Sequence, residues 1–300
     1  MKLLAIDGGG IRGIYASHVL ERVQKEFNTE FHREFDLIAG TSTGSIIAAA
    51  VAFGIPISKV TELYRKEGPR IFSPRRWSFG GTIASRYSSD PLRTALTAVF
   101  EDATLADAKT RLVIPATDIG NGGVHVFKSA YDEKFVRDPN VKVVDAVLAS
   151  CSAPSYFAPA RVGPYQLSDG GLWANNPSLV AVTEALTRLG VERSAIRLLS
   201  VGTGIGKNYY PLSNSDKKWG FLTGWGISKF ISMLLNLQAA TASNVTQLIL
   251  DKHQSVRVNF ESDLPLSLDD VGTLDDLISR ADRDFTHNSA AIRQLLGGNQ

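Results

Sequence analysis

Three short stretches carry residues that could do chemistry together. Gly40-Thr41-Ser42-Thr43-Gly44 fits the pattern glycine, any residue, serine, any residue, glycine. That spacing belongs to a strained strand-to-helix turn, which pushes a serine Oγ into the open while the small flanking residues keep the approach clear. Alone the pattern is weak, arising by chance in roughly one chain in ten of this length at average composition. Its setting strengthens it, because the apolar run FDLIAG (35–40) leads into it and the apolar helix-like SIIAAAVAF leaves it. Ser42 is therefore the candidate nucleophile, and a serine hydroxyl attacks only when a base takes its proton. None of the five histidines, at 18, 32, 125, 253 and 287, sits in a glycine-rich loop after a buried strand. Asp169 does, in YQLSDGGLWANNP, where Gly170 and Gly171 leave room for another backbone to come close. A carboxylate within hydrogen-bond reach of Ser42 would make a two-residue Ser/Asp machine, although Asp-Gly also marks ordinary hairpin turns.

The third stretch is DGGGIRG, residues 7–13, directly after the apolar run KLLAI. Glycines there cost backbone entropy and pack nothing, so bare N–H groups are the gain. Gly8, Gly9 and Gly10 are the candidate oxyanion hole for a tetrahedral intermediate at Ser42, with Arg12 adding a charge or fixing the loop through carbonyls. The competing use is a phosphate cradle at a helix N-terminus, but neither the G-K-[ST] ending nor the G-x-G-x-x-G spacing is present.

These residues need a scaffold, and the chain spells an α/β one. KLLAI, FDLIAG, RLVIPATD (111–118), VHVFKS (124–129) and IRLLSVGTG (196–204) read as strands. Tyr15, Val19, Leu20, Val23 and Phe27 fall at helical spacing, and VKVVDAVLAS (141–150), SLVAVTEALTRL (178–189) and a stretch near 274–296 also read as helices. The alternation predicts a mostly parallel central sheet with helices on both faces. Residues 205–245 read as irregular, rich in glycine and aromatics, followed by the strand-like SVRVNF. At 300 residues the chain is expected to form one domain, its motifs within 1–205 and lid or regulatory and C-terminal elements of the same domain in 205–300.

Composition excludes more than it assigns. A hydrophobic fraction of 44% with 21% charged residues rules out disordered and coiled-coil classes. The balance of 32 basic against 30 acidic residues gives no pull toward nucleic acid polymers. A single cysteine, Cys151, cannot form an internal disulfide, and it reads as a buried small hydrophobe. With only six residues before Asp7 and no apolar run long enough to span a bilayer, the expected location is the cytoplasm.

DGGGIRG, GTSTG and SDGG, in that order, together with SCSAPSYFAPA (150–160), resemble the patatin-like phospholipase family, over about residues 1–205. A chance match to DGGG-x-R-G is on the order of one in ten thousand. The resemblance implies hydrolysis of phospholipid acyl esters by a Ser/Asp dyad. Ser42 would be the nucleophile, Asp169 the base, and Gly8 to Gly10 with Arg12 the oxyanion region, within the motif glycines Gly40, Gly44, Gly170 and Gly171. It implies no metal and no cofactor. SPRRWSFGG (73–81) and KKWGFLTGWGISKF (217–230) mix basic residues with Trp and Phe, suited either to a membrane interface or to the core and acyl pocket. The short form also resembles membrane-degrading effectors of cyclic-oligonucleotide antiphage systems, which implies a cyclic dinucleotide activator. Its expected site lies near 205–245 and Arg70, Arg75 and Arg76, with action at the inner face of the membrane. Oligomeric state stays open, a homodimer among the options.

Overall fold

The computed structural model describes residues 1–300 except 77, 208–209, 211–217 and 298–300, and the side chains of 221 and 222. Parts of both aromatic-basic stretches and of the 205–245 region therefore lie outside the described residues. The chain runs β1 (Lys2–Ile6), α1 (Gly13–Phe27), α2 (Phe31–Glu34), β2 (Leu37–Gly40), α3 (Thr43–Phe53), α4 (Ile57–Ile71) and α5 (Asp90–Phe100). It continues as β3 (Arg111–Asp118), β4 (Gly123–Lys128), α6 (Val143–Ser150), β5 (Ala160–Val162), β6 (Tyr165–Asp169), α7 (Gly171–Ala174) and α8 (Ser178–Thr183). The last elements are β7 (Arg197–Val201), β8 (Ile205–Gly206), α9 (Ile227–Ile249), β9 (Ser255–Val258), β10 (Glu261–Ser262) and α10 (Leu274–Leu295).

Strands β9, β7, β1, β2 and β3 form a parallel core, as expected from their continuous apolar runs. Their side chains alternate between two cores. Leu4, Ile6 and Ile38 face the core built with α1, α3, α4, α6 and α10, while Leu3, Ala5, Leu37 and Ala39 face Ala181, Val182 and Leu250 on the other side. The sheet is thus covered on both faces.

Antiparallel strands complete it and bring distant loops together. β4 pairs along β3 from Val113 to Asp118, so it occupies one edge of that strand. On the opposite edge, β2 pairs only as far as Val113, and β6 takes over antiparallel from Ala116 to Asp118. β2 and β6 therefore point their C-terminal ends at each other across Ile114 and Pro115. Gly40 closes one strand and Asp169 the other, which brings Ser42 and Asp169, 127 apart in sequence, together.

One expectation is corrected. Within the region read as irregular, residues 227–249 form a helix of 23 residues. Its buried seam, Ile231, Leu235, Ala239, Ala242 and Thr246, has helical spacing but relies on small residues, while Leu234, Leu237 and Leu248 lie exposed and blur the period.

Candidate active site

The site is assembled from the turn after β2. Ser42 caps α3 with φ 52° and ψ −128°, a conformation that costs a non-glycine residue energy and must be held by its surroundings. The holding contacts are specific. Ser42 N–H donates to Ser150 Oγ at 2.9 Å, Ser150 Oγ donates to Pro115 O at 2.6 Å, and Ser45 Oγ donates to Ser42 O at 2.6 Å. Gly40 and Gly44 allow the tight fold-back, since a Cβ on Gly40 would strike the Gly44 carbonyl, and one on Gly44 the Ile6 carbonyl.

Ser42 Oγ donates to Asp169 Oδ2 at 2.7 Å, and Gly171 N–H donates to Asp169 Oδ1 at 2.6 Å. Burial lifts the Asp169 carboxyl to about 7, against the downward pull of these two hydrogen bonds. A carboxylate so placed can accept a proton near neutral pH and give it back.

The glycine loop lies against the same spot. Gly9 and Gly10 line the cavity over Ser42, and among the described residues their N–H groups have no partner. Gly10 has φ +60°, and a Cβ there would strike the Leu268 carbonyl. Gly8 behaves differently from its expected role, because its N–H already donates to Asn175 O at 2.9 Å. Its part is close contact, a Cβ there lying 3.0 Å from Ser42 Cβ. Arg12 does not line the cavity. It is buried behind the loop, where Nε donates to Gly9 O at 3.2 Å and NH1 to Gly204 O at 2.9 Å, so it fixes the loop through carbonyls. Burial lowers its guanidinium to about 10.

The remainder of the cavity is apolar, walled by Ile46, Leu63, Phe72, Leu92, Phe157 and Leu235 among others. It suits a hydrocarbon chain. Cys151 lines it as a buried thiol, pushed up by desolvation and unsuited to act as a thiolate. His125 is buried against Phe127 and Tyr165, and burial lowers it to about 4, so it is a neutral core residue.

Several residues that hold the site were not singled out by their sequence. Asp7 of the glycine motif pairs with Arg257 of β9, whose NH1 donates to Asp7 Oδ1 at 2.9 Å and to Ser200 Oγ at 2.7 Å. Burial raises the Asp7 carboxyl and the facing guanidinium opposes that rise. The signal for Arg257 was a lone charge inside SVRVNF. Thr203 Oγ1 donates to Gly8 O at 2.6 Å. Asn175 lines the cavity at 6% exposure, and its side-chain amide makes no hydrogen bond among the described residues.

Residues 4–182 match the family described as "Patatin-like phospholipase". The chain belongs to the patatin-like phospholipase family. It is similar to a "cGAMP-activated phospholipase" of Pseudomonas aeruginosa, 36% identical over 206 residues, covering 67% of this chain but only 62% of that relative's length. It is also similar to a "cUMP-AMP-activated phospholipase" of Escherichia coli, 29% identical over 311 residues, covering 98% of this chain and 93% of that one. Among solved structures, VipD from Legionella pneumophila shares the fold at a TM-score of 0.51 and 14% identity, covering 98% of this chain and 66% of that one. Among the described residues, no helix is long and apolar enough to cross a membrane.

Proposed function

We propose that this patatin-like phospholipase cleaves fatty-acyl esters of membrane phospholipids through an acyl-enzyme on Ser42. The observation that carries the reading is the 2.7 Å contact between Ser42 Oγ and Asp169 Oδ2 at a strained turn. Asp169 takes the Oγ proton as oxygen attacks the ester carbonyl carbon, and the negative charge moves to the carbonyl oxygen. The N–H groups of Gly9 and Gly10 receive that charge, and the positive end of α3 supports it. Thr43 N–H, at the first position of α3, also lacks a partner among the described residues and is a third backbone donor. Collapse expels the alcohol, which takes the proton from Asp169. Water then attacks the acyl-enzyme with Asp169 again as base, releasing the fatty acid and restoring Ser42. The acyl chain lies along the apolar wall, and the unpartnered Asn175 amide contacts the ester from the side.

The rival use of the loop as a phosphate cradle finds no support in its surroundings, since Gly9 and Gly10 face Thr203, Leu268, the dyad and an apolar wall, and the buried Arg12 is bound to the Gly9 and Gly204 carbonyls instead of lining the cavity. The names of the relatives support activation by a cyclic dinucleotide. The C-terminal part adds β9 to the main sheet, which favours one domain over 1–300. The single cysteine fits a reducing compartment, and action at the inner membrane face belongs to the same reading.

The test is fatty-acid release from phospholipid vesicles, with and without a panel of cyclic dinucleotides. Wild type is expected to release fatty acid, at least tenfold faster with one of the nucleotides, and Ser42→Ala to lose at least ~10⁴-fold. Turnover that survives in Ser42→Ala would refute the mechanism, and equal turnover with every nucleotide would refute the regulation.

A further inference from the structure

Between Glu67 and Asp90 the chain carries four arginines and no acidic residue. Two of the four are neutralised: Arg70 NH1 lies 3.8 Å from Glu67, and Arg86 NH1 lies 2.8 Å from Asp269. Arg75 and Arg76 are exposed. Arg75 NH1 bonds the Ser85 hydroxyl at 3.1 Å, and among the described residues neither arginine has an acidic partner. On the same loop Phe79 is 64% exposed and Ile83 74% exposed. An exposed phenylalanine and isoleucine beside two unpaired guanidiniums waste apolar area unless something covers them.

This loop is tied down, and what it is tied to gives the surface its meaning. Arg86 N–H donates to Ser155 O at 2.9 Å and Tyr87 N–H to Tyr156 O at 2.8 Å. Tyr156 and Phe157 are walls of the Ser42 cavity, and Phe157 also lines a shallow outer hollow with Ile83, Ile119 and Leu172. Ile119 and Leu172 are themselves exposed, so the apolar surface continues from the loop tip to the wall of the catalytic cavity. From the other side, Tyr156 faces Ser228 at the start of α9. The turn before α9 carries the half-exposed Trp219, packed at a tilt against Tyr210 and edge-on against Trp225. The end of the arginine-bearing loop and the start of α9, distant in sequence, meet at one wall.

We propose that Arg75, Arg76, Phe79 and Ile83, with Ile119 and Leu172 behind them, form the surface that seats this protein on an anionic lipid bilayer, with the Ser42 cavity opening beside the seat. A bilayer suits both halves of the surface at once. Phe79 and Ile83 enter the boundary between headgroups and acyl chains, and the two guanidiniums stay at the level of the lipid phosphates. This docking gives the acyl-hydrolase reading its route to substrate and rests on that reading only for its purpose.

The binding arm of the test uses Ser42→Ala protein, which does not consume the vesicles, floated with phosphatidylglycerol/phosphatidylcholine vesicles or with phosphatidylcholine alone. Phe79→Asn with Ile83→Ser, asparagine being chosen because Phe79 has φ 46°, is expected to weaken vesicle partition at least tenfold. Arg75→Gln with Arg76→Gln is expected to weaken it on the order of twentyfold on anionic vesicles at low salt, about fivefold per arginine, with little change on phosphatidylcholine. With Ser42 restored, both pairs are expected to hydrolyse a soluble short-chain ester like wild type while losing vesicle hydrolysis in step with partition. Undiminished vesicle binding in both pairs overturns the proposal and leaves the patch to another partner. An equal loss on the soluble ester also overturns it, by making the loop a structural prop of the cavity. If wild type hydrolyses neither substrate, with or without the panel of cyclic dinucleotides, while partition follows the prediction, the catalytic reading fails and the docking surface stands.

Discussion

Residues 1–205 and the final third of the chain contribute to the same cavity in different currencies. The first region brings the candidate dyad, Ser42 and Asp169, and the unpartnered N–H groups of Gly9 and Gly10. Among the described residues, the final third brings fixtures and apolar wall: Arg257 against Asp7, Leu268 O accepting from Ile11 N–H at 2.8 Å, and Leu235 roofing Gly171. Chemistry is carried by residue types that recur at fixed spacing, whereas support is carried by carbonyls and methyl groups that many residues can supply. The first leaves a motif and the second does not.

That contrast breaks most visibly if the reacting group proves to be the costly one. Asp169→Asn should lose on the order of 10³-fold in turnover and yet be more stable than wild type at pH 8. The sign follows from the raised carboxyl: at about 7 in the folded protein against 3.8 unfolded, wild-type stability falls as pH rises from 3.8 and levels off above 7. The full penalty is on the order of 4 kcal/mol at most, so the melting-temperature gap between variant and wild type should widen from pH 4 to pH 8. A gap independent of pH would place the base elsewhere.

The supporting region should show the reverse. Arg257→Met leaves the Asp7 carboxylate buried without its partner and should cost about 3–5 kcal/mol in urea unfolding, with part recovered by adding Asp7→Asn. Undiminished stability would remove the final third from the account. Asn175→Ala sharpens the comparison, since it deletes a side-chain amide with no hydrogen bond among the described residues. kcat should fall roughly 10- to 100-fold with KM and melting temperature nearly unchanged, in line with a lost oxyanion-type donor. A drop in melting temperature instead would make Asn175 a fixture. Smallest is Thr203→Val, which strands the Gly8 carbonyl and should cost about 1–2 kcal/mol with only a few-fold loss of turnover.

What could be read from the sequence follows the same division. β1, β2, β3 and β7 announced themselves as apolar runs because strands buried on both faces need no polar alternation. Ser42 and Asp169 were legible through their glycines. The meeting of β2 and β6 end to end on β3 was not, because pairing partners leave no local trace. α9 escaped because its seam uses alanines while leucines point outward. Arg12 carried both expected roles in the sequence, and only its partners, the carbonyls of Gly9 and Gly204, decide between them. Gly8 looked equivalent to Gly9 and Gly10 until the Asn175 carbonyl claimed its N–H.

The central claim is that Ser42 is activated by Asp169 with no other base. Its most direct test is the rate of covalent labelling by a fluorophosphonate, followed by intact mass across pH 5 to 9 on wild type, Ser42→Ala and Asp169→Asn. The account predicts one adduct mapping to Ser42, a rate that rises through pH about 7 as the Asp169 carboxyl loses its proton, no adduct in Ser42→Ala, and a slow, pH-independent rate in Asp169→Asn. An adduct on another residue, or an Asp169→Asn protein labelled as fast as wild type, would contradict it.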